Sequence, residues 1–380
     1  MNDSKIIPFN KPYLTGNETL YIEEAARNGK LSGDGNFTKK CQSYFEEKYG
    51  FNKVFLTTSC TDALEMAAIL LDIQPGDEVI MPSYTFVSTA NAFILRGATI
   101  VFADSQHNHP GMDEDSIESL ITSKTKAIVV VHYAGIACDM DKIKNLADQY
   151  NLFIIEDAAQ AIDSFYKGKP LGSFGHMAAF SFHETKNIIS GEGGMLVVND
   201  EQFIQRAEII REKGTNRNKF FRGEVDKYNW VDIGSSFLPS EITAAFLFAQ
   251  TEQLVMIQQK RLLLWNTYFE ELLFLKNSGI ELPHIPGYAS NNAHTFYLIC
   301  KNMKQRDAFI NHLKTEKVLA VFHYLSLHAS PYFKNKHDGR ILANADHFSD
   351  CLVRLPMFYD LSVDDINNKI VPLIKSFFIS

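Results

Sequence analysis

Four short segments rich in polar and aromatic residues each follow an apolar run of the chain. They cover residues 57–62, 82–88, 156–160 and 181–187. In open α/β sheets, binding sites lie beyond the carboxyl ends of the strands, and these segments are predicted to fall there. Each segment also has an ordinary structural explanation when it is considered alone.

The first segment has the pattern of a helix start. Ser59 and Asp62 have the spacing of a capping box, in which each side chain accepts a hydrogen bond from the other residue's backbone. The free N–H groups of such a start, with the hydroxyls beside them, suit a phosphate group. Charge-assisted hydrogen bonds contribute about 1.5–3 kcal/mol each, so three or four would hold a phosphate firmly. Plain helix capping is the simpler explanation of this segment alone.

Two further segments carry ionisable groups. Glu156 and Asp157 follow an apolar strand, so at least one carboxylate should be partly buried and need a partner. A protonated heteroaromatic nitrogen would serve, and so would a neighbouring arginine. Lys186 lies just past another apolar run and before the glycine-rich residues 191–194. It is either a solvated loop residue or a Schiff-base amine, whose pKa must be lowered by its surroundings.

The remaining segment contributes aromatic side chains, which either belong to the core or stack on a flat ring. Together, the four segments supply a phosphate site, an aromatic ring, a carboxylate and an amine. Pyridoxal phosphate (PLP) needs these four partners for its phosphate, its ring, its pyridinium nitrogen and its aldehyde. The combination predicts a PLP site more strongly than any one segment does.

The elements that must position these residues are predicted from residue 53 to residue 200. Apolar, β-branched runs occur at residues 53–57, 79–81, 99–103, 127–131, 152–155 and 195–198. Helical stretches lie between several of them; for example, Leu64, Ala67, Ala68 and Leu71 share one helical face. Alternating strands and helices predict an α/β fold with a mainly parallel sheet flanked by helices.

The pattern changes near residue 250. A helix is predicted over residues 251–276, followed by a Pro/Gly-containing stretch, an apolar run at 295–300, a helix at 305–317 and a run at 318–322. Ser362 and Asp365 predict a capping box at the start of a final helix. We therefore expect a large α/β domain over residues 1–250, including an N-terminal arm, and a smaller α+β domain over residues 251–380.

Composition excludes several classes of protein. The 380 residues carry a formal net charge of −8, and 46% of them are hydrophobic, which is typical of a globular protein. No basic block favours nucleic acid or a membrane surface, and no apolar run is long enough to span a bilayer. The five scattered cysteines predict neither a disulfide framework nor a metal site. A reducing cytoplasm is the simplest expectation.

The order of these motifs resembles the DegT/DnrJ/EryC1/StrS family of sugar aminotransferases. The resemblance runs from about Ile7 to the C-terminus and includes residues 33–35, 58–64, 82–89, 156–160, 181–187, 191–194 and 322–324. Each motif is a weak signal, but all of them in one order are specific. The resemblance implies the PLP-dependent transferase fold of type I, as in aspartate aminotransferase, and PLP as the cofactor.

The resemblance also implies roles for nine residues. Lys186 matches the lysine that binds the cofactor covalently, and the others match groups that surround it. Those groups are the pyridinium partner Asp157, the ring-hydroxyl neighbour Gln160, the stacking ring of Phe86, the phosphate ligands Ser59, Cys60 and Ser181, and the sugar-pocket residues His323 and Tyr324. The chain departs from the family at Cys60, where glycine is common, and at Leu238, where many members place an asparagine that reaches the partner subunit's phosphate.

The activity implied is transfer of an amino group, normally from glutamate, to a nucleotide-linked keto sugar. A dTDP-linked 4-keto-6-deoxyhexose aminated at C4 to the galacto product is the specific expectation, with the gluco epimer or a 3-keto sugar as alternatives. A homodimer with shared active sites is expected, and residues 217–230 are either its cross-subunit loop or a domain boundary.

Three other functions fit these residues less well than an aminotransferase does. A dehydratase of the same fold would have histidine in place of Lys186; His183 is not that replacement. A ligand-sensing regulator would usually carry a basic DNA-binding segment, and none is apparent. A dehydrogenase would need a glycine-rich turn where residues 57–62 contain no glycine.

Overall fold

A seven-stranded sheet forms the centre of the first two thirds of the protein. The computed structural model describes residues 6–379. The strands of the protein, which belong to this sheet and to two smaller ones, are β1 (Lys53–Thr57), β2 (Glu78–Pro82), β3 (Thr99–Ala103), β4 (Thr125–Val131), β5 (Phe153–Asp157), β6 (Phe165–Tyr166), β7 (Lys169–Pro170), β8 (Met177–Ser181), β9 (Gly194–Val198), β10 (Tyr297–Ile299), β11 (Val321–Phe322) and β12 (Leu352–Arg354). All six predicted strands are present, with ends within about two residues of the predicted ones.

Helices cover both faces of this sheet and pack around a second one. They are α1 (Glu18–Arg27), α2 (Asn36–Tyr49), α3 (Cys60–Leu70), α4 (Val87–Ile94), α5 (Met140–Tyr150), α6 (Ile204–Arg211), α7 (Arg217–Phe221), α8 (Glu241–Glu252), α9 (Leu254–Glu271), α10 (Met303–Thr315), α11 (Ala343–Cys351), α12 (Val363–Asp365) and α13 (Val371–Phe378). A π-helical segment, Ile366–Ile370, joins α12 to α13.

The large sheet has the order β1-β9-β8-β5-β4-β2-β3. Only β9 runs against its neighbours in this sheet, so the prediction of a mainly parallel sheet is confirmed. Alternate strand residues enter two different cores because side chains of a strand point to opposite faces. Val129 belongs to the core with α3, whereas Ile128 and Val130 belong to the core with α2 and α5.

The C-terminal third contains a small antiparallel sheet of order β10-β12-β11. Its third core includes residues of α9, α10 and α13. The predicted capping box is confirmed: Ser362 Oγ accepts the Asp365 N–H at 2.9 Å, and Asp365 Oδ2 accepts the Ser362 N–H at 3.2 Å.

The helix predicted over residues 251–276 is wrong in its bounds. Helix α8 already begins after the N-cap Ser240, whose side chain accepts the Thr243 N–H. The chain leaves helical geometry at Gln253, α9 follows, and a short 3-10 helix covers Leu273–Ser278. The domain boundary that the sequence predicts between residues 250 and 251 therefore falls in the last turn of α8. The division into two domains stays a prediction.

Within residues 6–379, no helix combines the length and apolar character needed to cross a membrane. The same part of the chain holds no group of three or more His, Cys, Asp or Glu side chains arranged for a metal ion. The five cysteines are free thiols.

Candidate active site

A cavity of about 590 Å³ opens beyond the carboxyl ends of β1, β2, β4, β5 and β8. The structure brings all nine predicted site residues to its walls. They are Ser59, Cys60, Phe86, Asp157, Gln160, Ser181, Lys186, His323 and Tyr324. Both sheets therefore contribute to one site, since His323 and Tyr324 directly follow β11.

Two helix N-termini meet at one end of this cavity. Ser59 is the N-cap of α3 and accepts the Asp62 N–H at 3.0 Å, while Phe86 is the N-cap of α4. Thr61 Oγ1 donates to Ser88 Oγ at 2.8 Å and so joins the two first turns. Helix N-termini carry partial positive charge and free N–H groups, so this end of the cavity favours an anion such as a phosphate.

Gly194 allows the start of α3 to lie directly on the large sheet. A Cβ at this position would lie 2.4 Å from both Cys60 N and Ser59 C, which are backbone atoms that cannot rotate away. Gly194 is paired with Ser181 on β8 and with Thr57 on β1. The predicted glycine-rich turn therefore has a packing role, because Gly194 determines how closely the N-terminus of α3 approaches Ser181.

The adjacent carboxylates at the end of β5 have different environments. Glu156 is fully buried and accepts N–H groups from Gly172, Phe174 and Gly175 at 2.7–2.8 Å, with His132 Nε2 at 3.0 Å. Burial acts to raise the pKa of Glu156, but hydrogen bonds from His132 and the backbone outweigh it and hold the pKa below its ordinary value. Glu156 is therefore the structural member of the pair.

Asp157 instead lines the cavity. Its Oδ2 accepts the Thr89 hydroxyl at 2.7 Å, and its Oδ1 accepts the Ala159 N–H at 3.2 Å. Burial raises the pKa of Asp157, and these hydrogen bonds partly offset the increase. A cationic ligand group beside this carboxylate would stabilise its ionised form.

Lys186 extends into the cavity without a partner. Its Nζ takes part in no hydrogen bond or ion pair with any residue between 6 and 379. Burial lowers its pKa, although Cys60 and Asp157 act in the opposite direction. Next to it, Asn187 is fixed by hydrogen bonds to Gln258, Asn292 O and His294. Burial therefore shifts Lys186 towards its neutral amine form, and the hydrogen bonds of Asn187 hold this part of the chain in place.

Hydrogen bonds between the two sheets shape the far wall of the cavity. Gln160 Oε1 accepts the Ala134 N–H at 2.7 Å, and its Nε2 donates to Tyr324 Oη at 3.1 Å. Tyr133 Oη lies 3.0 Å from His323 Nδ1. Burial lowers the pKa of His323 well below its ordinary value, so the imidazole is neutral.

The aromatic segment divides between core and cavity. Tyr84 is fully buried, whereas the side chain of Phe86 is 55% exposed and lies on the cavity wall, 6.0 Å from the Tyr324 ring. The core interpretation therefore applies to Tyr84, whereas stacking by Phe86 stays a prediction. The exposed ring of Phe86 is accessible to a flat ligand in the cavity.

Sequence reasoning missed several residues of this wall. Thr89, which donates a hydrogen bond to Asp157, lies within the motif of residues 82–89, but nothing in the sequence indicates this contact. Phe9, His294 and Arg354 also line the cavity, although they are far apart along the chain. A lone arginine at the end of a short strand carries no local pattern, so only the packing of the two sheets shows where it lies.

Two motif features are structural. Gly35 and Phe37 donate N–H groups to the Glu241 carboxylate at 3.0 and 2.8 Å, which caps α2. A Cβ at Gly33 would lie within 2.4 Å of the Leu238 side chain. Leu238 therefore packs against the glycine-rich turn before α2.

Comparison with known proteins agrees with this geometry. The family model described as "DegT/DnrJ/EryC1/StrS aminotransferase family" matches residues 12–373. GDP-perosamine synthase of Escherichia coli O157:H7 is 33% identical over 367 residues, which is 95% of this chain and 96% of that protein.

Solved structures have the same fold. DesV from S. venezuelae, in complex with a ketimine intermediate, superposes with a TM-score of 0.91 at 28% identity and covers 99% of this chain and 100% of its own. Spr1654 from Streptococcus pneumoniae, in its PLP-form, has a TM-score of 0.88 at 26% identity, covering 99% and 98%. The predicted fold class is confirmed, and this chain belongs to the DegT/DnrJ/EryC1/StrS aminotransferase family.

Proposed function

We propose that this protein transfers an amino group from glutamate to C4 of a dTDP-linked 4-keto-6-deoxyhexose and forms the galacto product. The protein is an aminotransferase by family, and its cofactor is PLP, as predicted. The proposal rests mainly on one observation. Lys186 Nζ has no hydrogen-bond or ion-pair partner within residues 6–379, and Lys186 lines the same cavity as Asp157 and the N-termini of α3 and α4.

The residues of the cavity fit the cofactor's parts. The N-termini of α3 and α4, with Ser59, Cys60 and Ser181, would hold its phosphate, and Asp157 its ring nitrogen. Phe86 would stack on the ring, and Gln160 would contact the ring hydroxyl. When bound, PLP supplies the electrophile that accepts the amino group and the ring that absorbs electrons.

The protein's own groups then account for the proton transfer. The lowered pKa of Lys186 favours its neutral form, which can take the proton from the α-carbon of the amino donor. The hydrogen bond from Thr89 keeps Asp157 oriented and favours its ionised form. His323 and Tyr324, fixed by Tyr133 and Gln160, are placed to contact the sugar.

The nucleotide-linked nature of the substrate has a physical argument. A diphosphate tail supplies binding energy away from the reacting carbon, which can position a small ketone above the cofactor. The 4-keto-6-deoxy pattern and the dTDP base rest on the sequence resemblance alone. The E. coli relative is a GDP-perosamine synthase, so a GDP-linked form of the keto sugar is the competing substrate that we consider.

One incubation tests the substrate. The cofactor-loaded protein is supplied with glutamate and dTDP-4-keto-6-deoxyglucose, and the H3–H4 coupling of the product is read by NMR. A small coupling means an axial amine and supports the galacto product; a large one means the gluco epimer. Faster amination of the GDP-linked sugar, or none of either 4-keto sugar, would contradict the proposed substrate.

A homodimer is the proposed assembly. Residues 215–233 form a loop that is held together by an isolated antiparallel β-bridge between Thr215 and Trp230. Trp230 is 81% exposed, and Phe221, Tyr228, Val231 and Ile233 are also exposed. Such a cluster of exposed apolar side chains is typical of a protein interface. The partner subunit is its proposed occupant, and the loop would border the partner's cavity.

A further inference from the structure

A buried histidine lines the cavity beside the loop that carries Lys186. His294 is only 6% exposed and forms part of the cavity wall shortly before β10. Its Nδ1 lies 2.8 Å from Oδ1 of Asn187, the residue that directly follows Lys186. Its Nε2 has no hydrogen-bond partner among residues 6–379 and is not fully buried, so this nitrogen is open to the cavity.

The hydrogen bonds of Asn187 determine which ring nitrogen of His294 carries the proton. Asn187 Nδ2 donates to Asn292 O at 2.9 Å and to Gln258 Oε1 at 2.7 Å. Because a carbonyl oxygen only accepts, the atom of Asn187 that faces Asn292 must be the nitrogen, and its Oδ1 must face His294. His294 Nδ1 is therefore the donor of its hydrogen bond with Asn187. In the neutral imidazole, Nε2 then carries a lone pair.

The surroundings also keep this imidazole neutral and fixed in place. Burial lowers the pKa of His294 well below its ordinary value, and the positive charge of Lys186 lowers it further. The backbone N–H of His294 donates to Asn292 Oδ1 at 3.0 Å, and its backbone carbonyl accepts from Arg261 Nη2 at 2.6 Å. His294 Nε2 is therefore a fixed hydrogen-bond acceptor that is not protonated at neutral pH.

Few groups in the proposed reaction can donate a hydrogen bond to this nitrogen. The cofactor's phosphate and the carboxylates of glutamate only accept hydrogen bonds, and the amino group of glutamate is transferred to the cofactor. The ring nitrogen of the cofactor is a donor, but Asp157 is its proposed partner. The hydroxyl groups of the keto sugar remain. Since Asn187 holds His294 beside Lys186, which must reach the reacting carbon, the hydroxyl next to the ketone is the one that lies closest to Nε2.

We propose that His294 accepts a hydrogen bond from the C3 hydroxyl of the keto sugar and thereby selects substrates that carry a hydroxyl group beside the ketone. The inference rests on the proposed function, in which C4 is the reacting carbon. It adds a specificity residue near Lys186 to the proposed sugar-pocket residues His323 and Tyr324. A sugar without this hydroxyl would leave the lone pair of His294 unpaired in a closed site, which is unfavourable.

The test combines two sugars with variants of one residue. Pyridoxamine-loaded wild type, His294→Leu and His294→Gln each react with dTDP-4-keto-6-deoxyglucose or with its 3-deoxy analogue, and cofactor absorbance gives the single-turnover rates. Wild type should convert the 3-deoxy sugar about 10- to 100-fold more slowly, because a buried acceptor loses its partner. His294→Leu should convert both sugars at a similar, reduced rate, since the two losses remove the same hydrogen bond. His294→Gln, which keeps a donor and an acceptor, should retain part of the preference.

Two further measurements distinguish sugar recognition from a structural role. The half-reaction of the PLP-loaded protein with glutamate should keep its wild-type rate in His294→Leu, because glutamate has no hydroxyl group. Calorimetry with dTDP-6-deoxygalactose and its 3-deoxy form, which lack the ketone, should show a preference for the hydroxyl in wild type but not in His294→Leu. His107→Leu, which replaces an exposed histidine, is the matched control and should behave as wild type.

Two outcomes would overturn the inference. One is a preference for the 3-hydroxyl sugar that persists in His294→Leu, and the other is an equal loss of rate in both half-reactions. A wild-type protein that aminates neither sugar would instead contradict the proposed function.

Discussion

Thr89 Oγ1 donates a hydrogen bond to Asp157 Oδ2 at 2.7 Å, and both side chains are buried. Thr89 lies on α4, whose N-cap is Phe86, so one helix positions both the Phe86 ring and the hydrogen-bond partner of Asp157. Thr85 Oγ1 lies 2.9 Å from Thr89 Oγ1 and extends the network. The charge state of Asp157 is therefore coupled to the geometry of α4.

Thr89→Val should move the acidic limb of the activity profile to higher pH. Burial already raises the pKa of Asp157, and the Thr89 hydrogen bond counteracts this increase. Without it, the carboxylate would protonate at a pH about 1–2 units higher, as expected for the loss of one hydrogen bond to a charged group. The pH dependence of kcat measures the shift. Thr267→Val, on the surface of α9, should leave the profile unchanged.

Lys186→Ala should abolish turnover while the protein remains folded. Loss of the proton-transferring amine should reduce the rate by at least about 10²–10⁴-fold. Circular dichroism reports the fold, and the visible absorbance of the bound cofactor should change because its covalent attachment is lost. Lys142→Ala removes an exposed lysine that pairs with Asp115 and should behave as wild type. Normal turnover by Lys186→Ala would refute its role.

Glu156→Gln should destabilise the protein by about 3–5 kcal/mol near neutral pH, because an amide cannot accept all the hydrogen bonds that converge on this carboxylate. The folded-state pKa of Glu156 lies below the unfolded value of 4.5. The stabilisation by ionised Glu156 is thus complete when the pH is above its pKa in the unfolded state. It is lost as the pH falls through its pKa in the folded state. Denaturant unfolding from pH 7 to pH 3 should show this loss in wild type and a reduced loss in the variant, with exposed Glu118→Gln as control.

Gly194→Ala should weaken cofactor binding as well as stability. The added methyl group would push against the backbone of Ser59 and Cys60 and displace the start of α3. Overpacking of this kind costs about 1–3 kcal/mol. Titration of the apo-protein with PLP and thermal unfolding measure the two effects. Gly287→Ala, where no atom lies within 4 Å of the added carbon, should change neither.

Trp230→Asp should dissociate the proposed dimer. Burying a carboxylate in an apolar interface without a partner is strongly unfavourable, so the monomer fraction should increase. Sedimentation velocity over a concentration series measures it. Tyr332→Asp, a substitution of another exposed aromatic residue outside the 215–233 loop, is the control. An active wild-type monomer would contradict the shared-site assembly.

Local signals in the sequence predicted much of the fold and the site. Ser59 is a helix cap because its hydroxyl accepts the Asp62 N–H, and both residues are close in sequence. The two carboxylates on β5 could be recognised, but which one faces the cavity depends on the loop that donates N–H groups to Glu156. The break at Gln253 and the position of Arg354 depend on tertiary packing, for which the sequence offers no local pattern.

The position of β9 has a consequence for protein synthesis. This strand lies between β1 and β8, pairs Lys53 with Val198 and places Gly194 beneath the start of α3. A ribosome must therefore translate about 140 residues after β1 before β1 can acquire its neighbour in the sheet. Contacts between distant chain segments form slowly because loop closure is entropically costly. The nascent polypeptide would thus expose the unpaired edge of β1 until β9 has been synthesised, and unpaired strand edges of this kind favour aggregation.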